Sequence, residues 1–299
     1  MDMETIKSFV TTHPREICIT AVVGVALIAV IRRRRKREKK VYPPNTIVHH
    51  QMGRGPYAPS LTPFAVKLET YLRMAKVPFL NEHDSVTNKS SKNKVTWIEC
   101  NGEEVADSEF CIQYVNNKFN VDLDKGFSDE DRAAALAIQR MVDEHLYWAV
   151  ALQRWVYDPK DGINVSKNMN FSWTLAPLVR RMIAKQSYAQ GVGRHTEEEV
   201  HHVMHEDLKA LSMFIGNKKF LFGDRVCQAD SSVFGMLSQL YWQSYGGYGE
   251  KAIHEYPNLC GYCSTEYPNL CAYCDRMKAE YWPDWDDCIT HGWTRKATK

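Results

Sequence analysis

The first forty residues show one apolar block followed by one basic block. ICITAVVGVALIAVI (Ile17 to Ile31) holds fifteen residues without a charge, and RRRRKREKK (Arg32 to Lys40) follows at once. From Thr46 the pattern becomes that of a folded domain. TIVHHQMG (46–53) reads as a short strand, and RGPYAPSLTP as a loop rich in proline and glycine. A helix is expected from Pro63, with proline in its first turn. Its positions Ala65, Leu68, Tyr71, Leu72 and Ala75 recur at helical spacing. VPFLNEHD reads as a second strand; KVTWIEC, NG and EEVAD read as strand, turn and strand. Ser108 is expected to cap a helix carrying Phe110, Cys111, Tyr114 and Val115. The order β-α-β-β-β-α is that of a thioredoxin-like unit, placed at 46–122.

From 126 to 299 no strand-rich segment follows, and an all-helical unit is expected. Ser128 opens a long helix to Trp155, with Ile138, Met141, Val142, His145, Ala149 and Leu152 on one face. Further helical patterns cover 172–189 and 196–216, the latter opened by the capping box Thr196-x-x-Glu199. FLFGDRVCQADSSVFGMLSQLYWQ, YGGYG and a cysteine-rich tail complete the chain.

The apolar block would form a helix of about 22 Å, short of the roughly 30 Å of a bilayer core. Flanking bases can snorkel, and a thin membrane shortens the gap. The basic run lies on the C-terminal side, which orients the bulk of the chain toward the cytosol. Residues 1–40 are therefore read as a single-pass anchor at 17–31 with its basic stop, and 41–45 as a stiff linker. A cleaved signal peptide fits less well, because the bases follow the apolar stretch and no small-x-small site does. A buried soluble helix is the remaining alternative. Outer mitochondrial and endoplasmic reticulum membranes both suit such an anchor.

Charge changes the picture once the basic run is set apart. The chain of 299 residues carries a formal net charge of +2. Arg32 to Lys40 contributes +7, eight bases against Glu38, so the remainder is −5. A mildly acidic folded part excludes nucleic acid as the expected partner. Nine cysteines in a chain of this length do not make a disulfide scaffold; Cys100, Cys111 and Cys227 read as reduced thiols. Neither a glycine-rich phosphate loop, nor G-x-S-x-G, nor a dinucleotide fingerprint occurs.

A thioredoxin-like half followed by a helical half resembles the glutathione S-transferase fold, an α+β architecture. Four phrases in order sharpen the match: PSLTPFAVKLETYLRMAKVPF, NGEEVADSE, FLFGD…AD and EYPNL…YC…YWPDW. Together they resemble the failed-axon-connections family, over roughly residues 46 to 285. That family is related to metaxins and to nematode cadmium-responsive proteins and commonly carries an N-terminal membrane segment.

The resemblance implies a site for glutathione. A hydroxyl at the start of the first helix would donate to the sulfur and stabilise the thiolate, the attacking species. Thr62 stands at that position, with Ser60 and Tyr57 nearby; the plainer alternative is that Ser60 and Thr62 only cap the helix. Asp107-Ser108 resembles the acid–serine pair that receives the glutamyl end, again against a plain helix cap. Val95 and Thr96 stand where the family places the backbone that pairs with the peptide part of glutathione. There the family carries a cis-proline, and this chain carries Thr96. A cis bond before a non-proline costs about 2.5–4 kcal/mol, so Val95–Thr96 is expected to be trans. Cys227, three before Asp230, replaces the family's Ser or Thr cap, a loss of about 1 kcal/mol.

Three functions stay open on these residues. One is a membrane-tethered glutathione transferase-like protein in stress or cadmium detoxification. Another is a non-catalytic module of the same fold that binds protein partners at a membrane, or a second copy of itself. The third rests on EYPNLC-x-YC, which appears twice, eleven residues apart. Cys260, Cys263, Cys271 and Cys274 could bind zinc, copper or cadmium as four thiolates. The alternative is a duplicated helical segment, broken at Pro268, in which each pair of cysteines shares a face as small apolar residues. His201, His202 and His205 are read as solvated surface, although His201 and His205 are spaced to share a metal.

Overall fold

The computed structural model describes residues 40–83, 88–157, 176–243 and 268–299. The apolar segment 17–31 and the first cysteine pair, Cys260 and Cys263, lie outside the described residues. No helix among the described residues is long and apolar enough to cross a membrane. Residues 44–299 form one compact unit.

The expected strand–helix order is present. β1 (Ile47–Gln51) leads through a loop to α1 (Pro63–Ala75), then β2 (Phe79–His83), β3 (Trp97–Cys100), β4 (Glu103–Ala106) and α2 (Ser108–Phe119). The sheet runs β2-β1-β3-β4, with β1 and β2 parallel and the other pairs antiparallel. Ile47, Ile98 and Cys100 on one face pack against Leu68, Tyr71 and Leu72 of α1 and Cys111, Ile112 and Val115 of α2.

The helical part follows. α3 (Asp129–Arg140) continues through a π-helical stretch (Met141–Leu146) into α4 (Tyr147–Leu152) and a second π-helical stretch (Gln153–Tyr157). Ser128 and Asp131 form its capping box. Then come α5 (Ala176–Gln190), α6 (Glu197–Ile215), α7 (Gln228–Tyr241) and α8 (Pro268–Tyr281). Thr196 and Glu199 cap α6 reciprocally, as the sequence predicts. At α7 the missing hydroxyl of Cys227 is offset, because Asp230 accepts from the Cys227 and Leu221 N–H groups and from Tyr273.

α1 is buried along most of its length, between the sheet and α7. α7 approaches it through Gly235: a Cβ there would lie 2.7 Å from Pro63 O and 2.8 Å from Lys67 N. So central a helix must satisfy its polar residues internally. Glu69 receives Arg54 at 2.7 Å and Gln51 at 3.0 Å, and Arg73 at 3.0 Å links it onward to Asp284. Burial pushes the Glu69 carboxyl up, but Arg54 and Arg73 outweigh it and hold it at about 2. Thr70 accepts from the Trp282 indole at 3.0 Å. Lys67 meets Asp143 at 2.6 Å and Glu109 at 3.7 Å. The C-terminal stretch returns to the loop before α1, where Thr290 N donates to Gly55 O at 2.9 Å.

Candidate functional site

Strand register brings the expected residues to one edge of the sheet. β3 enters at Trp97, opposite His50 near the exit of β1, and β4 leaves at Ala106, opposite Trp97. Thr96, Asp107 and the loop carrying Ser60 and Thr62 therefore all join the sheet at the same end. α1 and α2 start there, so two positive dipole ends share this edge. Such an edge favours an anionic ligand.

Thr62 is the N-cap of α1. Its backbone is extended (φ −118°, ψ 137°), and Oγ1 accepts from Ala65 N at 3.1 Å. That bond uses one lone pair and leaves the hydroxyl proton to donate. Thr62 is half-buried, whereas Ser60 is buried. The Ser60 hydroxyl accepts weakly from Thr62 N at 3.4 Å, and its carbonyl accepts from Gln243 at 2.9 Å and Gln239 at 3.3 Å. The structure therefore separates the two hydroxyls: Ser60 is built into the interior and Thr62 stands at the edge. Tyr57 is half-buried in the same loop.

The loop is held from the helical half. Arg154, on the second π-helical stretch, donates to Leu61 O at 3.2 Å and to Gln239 Oε1 at 3.2 Å. Gln243 Oε1 accepts from Ala58 N at 2.9 Å. Gly55 is required here, since a Cβ would sit 2.5 Å from both Ala58 O and Gln243 Oε1. Sequence reading missed this clamp. The available signals were the Gln239–Gln243 spacing of one helical turn and an arginine in an otherwise apolar run.

At the second helix the cap is Asp107, not Ser108. Asp107 Oδ1 accepts from Glu109 N at 3.2 Å, and Ser108 is the buried first residue of α2. The expectation failed because β4 ends one residue earlier than a serine cap needs, so the chain turns at Asp107. Its φ of 84° lies in the left-handed half of the map, costly for a residue with a Cβ. Lys94 Nζ lies 3.8 Å from its carboxylate. Glu109, two residues on, ties this helix start to the rest of the fold through Gln139, Gln228 and Lys67. Lys67 thus links α1 to the start of α2 and to Asp143. Burial raises the Asp143 carboxyl, and the ammonium of Lys67 opposes that rise.

Val95 is half-buried and Thr96 is buried beside them. No cis peptide bond occurs among the described residues, so Val95–Thr96 is trans, as expected.

The remaining candidates lie elsewhere. Cys271 and Cys274 are buried on α8, with Cys274 inside the helical core. Burial, and then the nearby Cys271, push the Cys274 thiol well above its usual range. No cluster of three metal-ligating side chains occurs among the described residues. His201 is half-buried rather than freely solvated: its Nε2 pairs with Gln153 Oε1 at 2.5 Å, and its ring meets the edge of Tyr157.

Comparison with known proteins agrees with this architecture. Residues 63–160 match the glutathione S-transferase N-terminal domain, and residues 204–265 match the glutathione S-transferase C-terminal domain. An isoprene-epoxide glutathione S-transferase from Rhodococcus sp. (strain AD45) is 30% identical over 218 residues, covering 68% of this chain and 90% of that protein. The chain belongs to the glutathione S-transferase family. Within that fold family it is similar to Failed axon connections of Drosophila melanogaster, 32% identical over 260 residues and 81% of this chain. The match spans 59% of that relative's length. A β-etherase from Sphingobium sp. strain SYK-6 shares the fold, with a TM-score of 0.56 at 16% identity over 81% of this chain and 98% of the other. The N-terminal match begins at Pro63, directly after Thr62, and includes Arg154; the C-terminal match includes Gln239 and Gln243.

Proposed function

We propose that the chain binds glutathione at the sheet edge and activates its thiol for attack on an electrophile. The observation that carries this is the Thr62 cap. A half-buried hydroxyl is fixed by Ala65 N with its proton left to donate, beside the positive end of α1. A donor and a dipole at one point stabilise a thiolate there. The thiol proton passes to solvent, the sulfur electron pair forms the new C–S bond, and the electrophile's leaving group or opened ring oxygen takes the displaced pair. Ser108 and the first N–H groups of α2 receive the glutamyl carboxylate, Asp107 its ammonium, and the Val95–Thr96 stretch lies along the peptide between them. The relative named as a glutathione S-transferase supports this reading.

The test is calorimetric titration of the full-length chain with glutathione, beside Thr62→Ala and Ser108→Ala. Binding in the micromolar to low millimolar range, weakened by both substitutions, is expected. Absence of heat at millimolar glutathione from folded protein refutes the proposal.

A second reading has its own observation. Thr96 stands where the family has a cis-proline, and the likeness to Failed axon connections covers most of this chain. On that reading the fold serves as a non-catalytic module that binds protein partners or a second copy of itself. In either case residues 17–31 would tether it with the folded part facing the cytosol, in two units at 46–122 and 126–299. Stress or cadmium detoxification is the setting for the catalytic reading. Alkaline extraction of membranes tests the tether: the full chain should stay with the pellet and a 17–31 deletion should not. Substituting Cys260, Cys263, Cys271 and Cys274 together by serine tests the metal reading, which predicts lost cadmium binding.

A further inference from the structure

Thr96 is buried at 6% exposure, and its Oγ1 has no hydrogen-bond partner among the described residues. Buried hydroxyls normally find a partner, and an unpaired one weakens the fold. Its place gives it a use. Trp97 pairs with Ala106, so Thr96 falls opposite Asp107 one step beyond the ladder. Alternation puts it on the face of Ile98 and Cys100, the face covered by α1 and α2. The hydroxyl thus lies on the α1 and α2 side of the sheet, at the end where both helices start, one capped by Thr62 and the other by Asp107.

We propose that the Thr96 hydroxyl is a ligand contact, pairing with the cysteinyl amide of a bound γ-glutamyl peptide. This rests on the glutathione reading above and adds a side-chain contact to it. The spacing suits the ligand. Directly opposed residues of an antiparallel pair stand about 5 Å apart. Four bonds separate the γ-glutamyl Cα from the amide nitrogen, a reach of about 5 Å at ordinary bond lengths. With the glutamyl end at Asp107–Ser108, the amide arrives at Thr96 and the thiol continues toward Thr62. A hydroxyl both donates and accepts, so it serves the amide N–H or its carbonyl.

The experiment titrates the full-length chain, Thr96→Val, Thr96→Ala and Thr96→Ser with glutathione, S-methylglutathione and γ-glutamylcysteine. All three ligands keep the amide, so both hydroxyl-free variants should raise Kd about five- to tenfold for each of them. Thr96→Ser should restore binding to near wild type. Thr96→Val should melt at or above the wild-type temperature, because it removes an unpaired polar atom. Thr62→Ala, by contrast, should weaken glutathione but not S-methylglutathione. Wild-type affinity in Thr96→Val and Thr96→Ala overturns this inference and leaves the glutathione reading standing, as does failure of serine to rescue. No binding of any ligand by the wild type overturns both.

Discussion

Replacing Gly235 by alanine sets two effects of opposite sign against each other. Gly235 lies inside α7, where alanine is favoured by about 1 kcal/mol through helix propensity alone. The added Cβ would stand 2.7 Å from Pro63 O, 2.8 Å from Lys67 N and 3.0 Å from Lys67 Cα. Ordinary contacts lie at about 3.5–4.0 Å, so α7 and α1 must part by several tenths of an ångström or more. All three atoms are backbone of a helix packed on both sides, and none can rotate away. Overpacking of this kind costs about 1–3 kcal/mol, and backbone on both sides puts this site at the upper end. The clash therefore wins, by about 1–2 kcal/mol. Tm should fall by about 2–8 °C, at roughly 2–4 °C per kcal/mol for a unit of this size. Because Pro63 follows the Thr62 cap, glutathione affinity should fall with stability. Calorimetric melts and a glutathione titration of Gly235→Ala measure both. A Tm equal to or above wild type shows that the two helices are not in close backbone contact and refutes the reasoning.

Glu69→Gln leaves the buried Arg54 guanidinium without its carboxylate and should cost about 3–5 kcal/mol in a denaturant melt; a loss below about 1 kcal/mol refutes the buried pair. Burial lowers the His49 imidazole from 6.5 to about 4, so the folded state keeps it neutral while the unfolded chain takes up a proton. Its contribution is full above pH 6.5 and is lost as pH falls toward 4, by about 3 kcal/mol, relative to His49→Gln measured alongside; equal pH slopes in the two proteins refute this. Asp107→Gly relieves the positive φ but removes a cap. The two offset to within about 1 kcal/mol of wild type by thermal melt, while glutathione binding weakens; a large loss of stability shows that the aspartate is structural.

The thioredoxin-like order was legible because strands and helices here keep their own periods, and because prolines, glycines and cap residues mark their ends. Ser128, Thr196 and Pro63 act where the pattern places them. The polar interior was not legible. Lys67 and Glu69 sit between the apolar positions of α1 and read as its outward face. They are buried because a second layer of helices covers that face. The Lys67 partner Asp143 lies far along the chain, whereas Glu69 pairs with Arg54 in the loop before α1 and with Arg73, which reaches on to Asp284. The cap at Asp107 was missed by one residue, since a positive φ leaves no trace in the residue type when the residue is not glycine. Thr62 and Thr96 were located as positions, but the proton left on one and the unpaired oxygen of the other follow only from the packing around them.

The proposed site draws on both halves of the unit. The thioredoxin-like half supplies the hydroxyl, the acid–serine pair and the two helix starts. It does not by itself hold the loop that aims them, because Leu61 O, Ser60 O and Ala58 N all take partners from beyond residue 150. Arg154 is delivered by a π-helical stretch, a local overwidening of the backbone that costs helix stability and is frequent at functional sites. A purely structural scaffold could cap these three loop groups with water. Capping them with a buried arginine and two buried glutamines fixes the loop at the cost of desolvating a charge. Such rigidity is what a hydroxyl needs to meet a sulfur at a set distance, and a mere docking platform needs it less. Arg154→Met therefore separates the two readings: it should weaken glutathione binding about tenfold with the sheet intact, whereas unchanged affinity for glutathione moves the weight to the non-catalytic module.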